Sequence, residues 1–313
     1  MMCQVRLTSM YHASNSPTAE AVRKLPDARA TLVLLKPITW FPPLWAFLCG
    51  IVSSGASIFD QPVQIAIGFL LVGPLVCGMS QAANDWCDRH VDQINEPYRP
   101  IPSGRVPGRW GLWIALGMSI AALILSYFAG PWVFLPTIIA VISAWAYSAE
   151  PLRLKRSGIW GPSLVGLSYE TLPWLTGVAL MTSAAPSANH VAVALLYGLG
   201  AFGIMTLNDF KALKGDMITG VRSLPVMLGP KRAASIACLV ILGAQLAVVA
   251  VLIAMEAFIH GGIIMLLLLP QLWAMSVLLK APKEKAPWFN GTGVLLYITG
   301  MMVSAHALRG LMP

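Results

Sequence analysis

Two stretches concentrate the side chains able to do chemistry. One is Asn84-Asp85-Trp86-Cys87-Asp88-Arg89-His90-Val91-Asp92, and the other is Asn208-Asp209-Phe210-Lys211-Ala212-Leu213-Lys214-Gly215-Asp216. Each reads Asn-Asp-aromatic and closes with an Asp eight residues after the Asn. Each ends a long apolar run and leads into an Arg-x-[Ile/Leu]-Pro segment, Arg99-Pro100-Ile101-Pro102 and Arg222-Ser223-Leu224-Pro225. They start 124 positions apart (208 − 84), which suggests an internal repeat supplying two halves of one metal-diphosphate site.

A helix turns about 100° per residue. Asn84, Asp88 and Asp92, at i, i+4 and i+8, therefore fall within an arc of roughly 80° and form one polar stripe. If the second stretch stays helical, Asp209 and Asp216, at i and i+7, lie within about 20° of each other. Oxygen-only ligands suit a hard cation such as Mg²⁺, which keeps several waters and joins carboxylates to substrate phosphates. The bland alternative is a pair of solvated helix ends. It suits a single Asp better than several acids repeated in one frame beside basic loops, and acids near a bilayer mark functional sites by default. Asp85 falls off the stripe, and His90 reads as a surface histidine.

Cations accompany both stretches. Arg99 sits in a proline-stiffened loop and can fork onto phosphate oxygens. Between the two halves lies Tyr147-Ser148-Ala149-Glu150-Pro151-Leu152-Arg153-Leu154-Lys155-Arg156. The second stretch has its own Lys211 and Lys214, then Arg222. Cations also hold loops on the inner side of a membrane whatever the chemistry. That plainer role suits Arg105, Arg109, Lys231, Arg232 and Lys283 better. Arg99, Lys155 and Arg222 are the favoured phosphate contacts. Glu170 lies within an apolar run, where it would face either a polar substrate group or a neighbouring helix. Trp40, Trp45, Trp145 and Trp174 could line a pocket for a flat ligand, while most other tryptophans sit near run ends, as in an interfacial belt.

The elements that must position these residues are membrane helices. The 313 residues are 57% hydrophobic and 11% charged, with a mean hydropathy of +0.71, whereas soluble domains carry roughly 25% charged residues. A span needs about 20 apolar residues. Nine candidates appear, at about 31–54, 62–86, 110–129, 132–149, 159–182, 190–210, 233–255, 259–280 and 290–309. Pro42 and Pro43 predict a kink in the first and Pro173 one in the fifth, since neighbouring helices can satisfy the freed carbonyls. Nine spans place twenty of the twenty-one Lys and Arg on one side, with only Arg309 opposite; the positive-inside rule makes that side cytoplasmic. Both acidic stretches end spans on that face, four helices apart, as in parallel repeats. The expected architecture is thus all-α and polytopic: a cytoplasmic tail over 1–30, then a 31–313 domain of two parallel four-helix repeats plus one helix.

The tail lacks an apolar core with a small-residue cleavage site, so no cleaved signal peptide is expected. Cys3, Cys49, Cys77, Cys87 and Cys238 have no paired spacing and read as reduced or buried thiols. No nucleic-acid module is visible. A transporter, with repeats, kinked helices and intramembrane acids, is the competing class. It explains poorly why acids at helix ends are matched by phosphate-type cations.

With the spans and paired acidic stretches in place, the chain resembles the UbiA superfamily of intramembrane prenyltransferases. The run Asn84-Asp85-x-x-Asp88-x-x-x-Asp92-Gln93-Ile94-Asn95-Glu96-Pro97-Tyr98-Arg99-Pro100-Ile101-Pro102-Ser103-Gly104 resembles its chlorophyll synthase branch more narrowly. So do Lys36-Pro37-Ile38-Thr39-Trp40, Asn208-Asp209-Phe210-Lys211 and Ser223-Leu224-Pro225-Val226. Ser148-Ala149-Glu150-Pro151-Leu152-Arg153 is similar to members acting on bacteriochlorophyllide. The resemblance runs from about residue 31 to the end. It implies Mg²⁺-dependent esterification of bacteriochlorophyllide with geranylgeranyl or phytyl diphosphate, in a bacterial inner or photosynthetic intracytoplasmic membrane. It implies Asn84, Asp88, Asp92, Asp209 and Asp216 as metal ligands, and Tyr147, Ser148, Arg153 and Lys155 at the diphosphate, joined by Arg99, Lys211 and Arg222. Glu170 and Trp174 are expected in the acceptor pocket. Many family members carry another acid where this chain has Ala212, which leaves open whether Lys211 replaces a metal ligand. Chlorophyllide, quinone-pathway and haem-pathway acceptors remain alternatives.

Overall fold

The computed structural model describes residues 25–309 except Ile58 and Asp60. Most of the expected tail, with Cys3, Arg6, Arg23 and Lys24, lies outside them, as does Asp60. Helices α1 (Ala28–Leu35) and α2 (Phe41–Ser53) make the first span, and α3 (Pro62–Leu70) and α4 (Met79–Asn95) the second. Then come α5 (Trp110–Ala129), α6 (Pro131–Ser148), α7 (Trp160–Gly166), α8 (Leu172–Thr182) and α9 (Ala188–Asn208). The short α10 (Leu213–Thr219) and α11 (Leu224–Leu228) precede α12 (Pro230–Ala254), α13 (Phe258–Lys280) and α14 (Pro282–Arg309). Among the described residues the sole β-type pairing is an isolated bridge between Ser157 and Arg222.

Eight helices among the described residues are long and apolar enough to cross a membrane. The fifth expected span, 159–182, is helical but is not one of the eight. Ser163, Ser168, Glu170 and Thr171 dilute its apolar content. Eight spans, not nine, therefore meet that measure of length and composition.

The fifth span breaks just before Pro173, as expected, whereas the first breaks at Lys36–Trp40, ahead of Pro42 and Pro43, which sit in the first turn of an intact α2. Asp27 caps α1 by accepting from the Ala30 amide at 2.9 Å. At Lys36 the chain turns left-handed (φ 46°), because the following Pro37 disfavours helical backbone before it. A single 3₁₀ turn, Pro37–Trp40, then leads into α2, whose first turn holds Pro42 and Pro43. In the fifth span a π-turn, Leu167–Thr171, separates α7 from α8 just before Pro173. A further π-turn, Leu71–Gly78, surrounds Pro74 in the second span. Proline removes a donor from the i→i−4 ladder, and wide turns absorb the mismatch.

Small residues set how closely these broken helices pack. A Cβ on Gly50 would come within 2.1 Å of the Trp174 carbonyl oxygen, and one on Gly177 within 2.5 Å of the Phe47 carbonyl oxygen. The backbones of α2 and α8, from the leading spans of the two expected repeats, thus touch directly. Close backbone approach through small residues is the usual way membrane helices associate, since lipid offers no hydrophobic drive between them. The α7–α8 run packs on α9, and α9 packs in turn along α12.

Candidate active site

The first acidic stretch lies on α4, which is continuous from Met79 to Asn95. The periodicity therefore holds, and Asn84, Asp88 and Asp92 line one cavity of about 540 Å³. Asp209 and Asp216 line the same cavity. The helix assumed for the second stretch does not hold: α9 ends at Asn208, a 3₁₀ turn spans Asp209–Lys211, and α10 restarts at Leu213. Ala212 (φ −98°, ψ 1°) forms the joint. The 20° estimate for Asp209 and Asp216 fails with it, yet the bend keeps both carboxyls on the cavity. Ser223 donates to Asp216 Oδ2 at 2.7 Å. Burial pushes the Asp216 carboxyl up, with the Ser223 hydroxyl opposing it.

The loop after α6 brings the cations. Arg153 (φ 36°) and the 3₁₀ turn Leu154–Arg156 carry two of them back over α4. Arg153 Nη2 donates to Asp88 Oδ1 at 2.7 Å, and Lys155 Nζ to Asp88 Oδ2 at 2.5 Å. Lys155 also reaches Asn84 Oδ1 at 2.9 Å, where the Ser148 hydroxyl donates at 3.4 Å. Burial lowers the Lys155 ammonium from its ordinary range, and the Asp88 carboxylate partly restores it. Arg153 Nε is buried with no partner among the described residues. The loop after α4 returns Arg99 to its own helix, with Nη1 2.9 Å from Asp92 Oδ2 and Nε against Glu96.

Asp85 lies off the stripe, as its position implied, and the reason is specific. It is 1% exposed. Lys36 Nζ bonds its Oδ1 at 2.7 Å, and Arg99 Nη1 lies at 3.4 Å. Asp85 thus ties the broken first span to the loop that carries Arg99. No feature singled out in the sequence pointed toward this tie. Ser223 was likewise not singled out for its Asp216 contact.

A second cavity, about 610 Å³, adjoins the first. Its wall is mostly apolar, with Leu71, Val72, Val76 and Pro136, and it includes Tyr169 and Glu170. Among the described residues no Lys, Arg or His lines it. Asn84, Tyr147 and Met205 line both cavities, and Ser148 lines the apolar one. A charged chamber and an apolar one therefore share a polar wall.

Four expected site residues line neither cavity. Arg99 is one, its guanidinium held by Asp92, Glu96 and Asp85. Trp174 lines neither cavity. It is fully buried, stacks on Tyr197 at 5.7 Å and donates to Ser53 Oγ at 3.1 Å. Close α2–α8 packing makes it a core residue. Lys211 is exposed on the 3₁₀ turn and is not in the cavity wall. Arg222 holds the loops together through its backbone: its amide donates to the Arg156 carbonyl at 2.9 Å, and its carbonyl accepts from Gly158 at 2.8 Å. Its side chain is also outside the wall. Of the four tryptophans considered for a pocket, Trp45 alone lines the apolar cavity. His90 is exposed.

Known proteins resemble this chain to different depths. The chain is 60% identical over 289 residues to the bacteriochlorophyll synthase 33 kDa chain of Cereibacter sphaeroides, covering 92% of this chain and 96% of that one. It is 36% identical over 288 residues to the chloroplastic chlorophyll synthase of Arabidopsis thaliana, covering 88% and 73%. A UbiA homologue from Archaeoglobus fulgidus, solved with GPP and Mg²⁺, has the same fold, with a TM-score of 0.66 at 18% identity over 90% of this chain and all of that one. The family model described as the UbiA prenyltransferase family matches residues 40–298. This chain belongs to the UbiA prenyltransferase family.

Proposed function

We propose that this enzyme transfers a geranylgeranyl or phytyl group from its diphosphate to the propionate of bacteriochlorophyllide. The observation that carries the proposal is the shared wall of Asn84, Tyr147 and Met205 between a charged cavity and an apolar one. A prenyl diphosphate has a polyanionic head and a greasy tail, and the two chambers divide it at the bond that must break. The 60% identity to a bacteriochlorophyll synthase chain supports the pigment.

The donor set fits Mg²⁺. Asn84, Asp88, Asp92, Asp209 and Asp216 offer oxygen alone, on one cavity. Among the described residues no three His, Cys, Asp or Glu side chains converge on a single point. Each ion would therefore complete its shell with water and diphosphate oxygens, as Mg²⁺ characteristically does. When bound, Mg²⁺ neutralises the charge that grows on the departing diphosphate.

The chain's own residues account for the rest. Arg153 and Lys155, in the charged wall, would hold phosphate oxygens with charge-assisted hydrogen bonds, and Arg99 would act from outside that wall through its pairing with Asp92. Tyr147 and Ser148 sit at the junction, where the allylic carbon–oxygen bond would lie. That bond breaks with its electron pair leaving on the diphosphate. The apolar wall keeps water from the resulting allylic cation. A propionate oxygen then supplies the pair for the new ester bond. Carboxylates are ionised near pH 7, so no proton must be removed and no general base is required. Both substrates are greasy, which accounts for a site within a multi-pass membrane protein. The cation bias supports a cytoplasmic orientation for its acidic stretches, and the likeness to a bacterial relative supports a bacterial inner membrane.

The test is to incubate membranes containing the protein with labelled geranylgeranyl diphosphate and bacteriochlorophyllide, chlorophyllide, 4-hydroxybenzoate or haem. Label should enter bacteriochlorophyllide. Label confined to 4-hydroxybenzoate or haem would overturn the reading.

A further inference from the structure

The apolar cavity contains two polar side chains that the protein leaves unpaired. Glu170 is 7% exposed, and its Oε2 is buried with no hydrogen-bond partner among the described residues. Asn290, on α14, has a buried Oδ1 in the same condition. Both line the cavity. Neighbouring polar groups in that wall are satisfied within the protein. The Tyr169 hydroxyl accepts from Gln81 Nε2 at 3.0 Å and from Cys77 Sγ at 3.5 Å, and Thr176 donates to the Leu172 carbonyl at 2.8 Å. Buried polar groups are nearly always paired, so two orphans in one wall call for a partner.

Their chemistry limits what that partner can be. With no Lys, Arg or His in the wall, nothing offsets a charge on Glu170. An uncompensated charge in an apolar wall is costly. A neutral carboxyl has one O–H to donate; the unpaired Asn290 Oδ1 itself only accepts, and Asn290 donates when its near-isosteric amide is turned by 180° to put an N–H in that place. Glu170 sits on the π-turn Leu167–Thr171, a geometry common at functional sites. Neither residue lines the charged cavity, so neither is placed to bind diphosphate.

We propose that Glu170 and Asn290 donate hydrogen bonds to a carbonyl oxygen on the ring periphery of the tetrapyrrole acceptor and set which acceptor is prenylated. This rests on the function proposed above. Two carbonyls have the required chemistry. One is the ketone fused to the macrocycle, present in bacteriochlorophyllide and chlorophyllide alike. The other is the acetyl group that bacteriochlorophyllide carries where chlorophyllide has a vinyl.

The experiment measures KM for each pigment and for geranylgeranyl diphosphate in Glu170→Leu, Glu170→Gln and Asn290→Leu. Resonance Raman spectra of bound pigment report the carbonyl stretch. Glu170→Leu and Asn290→Leu should each raise the pigment KM up to about tenfold, the upper range for one hydrogen bond. The diphosphate KM should stay within about twofold, and Glu170→Gln, which keeps a donor, within about threefold of wild type on pigment. The carbonyl stretch should rise in the leucine variants. Losses on both pigments identify the ring ketone, and losses on bacteriochlorophyllide alone identify the acetyl group. Unchanged pigment KM and carbonyl frequency in both leucine variants, or equal increases in both KM values, would overturn the proposal. If Glu170→Leu fails to insert, Asn290→Leu and the Glu170→Gln Raman shift decide it. Wild-type protein that prenylates neither pigment would remove the functional reading and this inference together. Wild-type activity with unaffected variants removes this inference alone.

Discussion

Asp88→Asn separates the chemical role of the acidic stripe from its structural one. Asp88 accepts from Arg153 at 2.7 Å and from Lys155 at 2.5 Å, and its side chain is 18% exposed. Asparagine keeps the volume and one acceptor oxygen. The structural loss is therefore one charge-assisted hydrogen bond, about 1.5 kcal/mol at the low end expected for a partly solvated group. In a domain of this size that corresponds to a fall in Tm of only several degrees. The chemical loss is larger, because the substitution weakens the hold on the Mg²⁺ that would neutralise the departing diphosphate. Losing one such electrostatic contribution typically costs 10²–10³-fold in kcat, roughly 2.7–4 kcal/mol. The assay pairs kcat with a thermal melt of the same purified protein and a Mg²⁺ titration after chelation. We expect a rate loss of about 10²-fold or more, a weakened Mg²⁺ response and a modest Tm shift. Activity within threefold of wild type with an unchanged Mg²⁺ curve would refute the metal role of the stripe.

Four further outcomes follow from the geometry. Lys36→Met leaves the buried Asp85 carboxylate with only the longer Arg99 contact, and should destabilise the fold by about 3 kcal/mol; adding Asp85→Asn should recover much of that, and a thermal-melt cycle with no coupling would contradict the tie. Arg153→Ala should raise the diphosphate KM about tenfold or more, through loss of a charged donor. Lys211→Ala and Arg222→Ala, whose side chains lie outside the cavity wall, should stay within about twofold in the same steady-state assay. Gly50→Ala drives a methyl against the Trp174 carbonyl, a contact of 2.1 Å that backbone cannot relieve; overpacking of this kind costs about 1–3 kcal/mol, and an unchanged detergent half-life would show that α2 and α8 can part.

What could be read from the chain itself was whatever short-range covalent spacing dictates. Asn84, Asp88 and Asp92 share a face because four residues make about one turn, and α4 needs no distant contact to keep them there. The break before Pro173 follows from ring geometry and a missing donor, while the first span breaks at Pro37, ahead of the prolines that predicted its kink. Charge bias and hydropathy likewise identified the membrane class without any knowledge of packing. The tertiary structure alone decided which side chains share a cavity. Lys211 sits two residues from Asp209 and yet faces away, because the chain tightens to a 3₁₀ turn there. Lys155 lies 67 positions from Asp88 and bonds it directly. Trp174 became core instead of pocket because Gly50 and Gly177 let two backbones touch, a contact between residues far apart in sequence. Periodicity fixes direction around one helix axis; distance between axes is set by packing, which no local window contains.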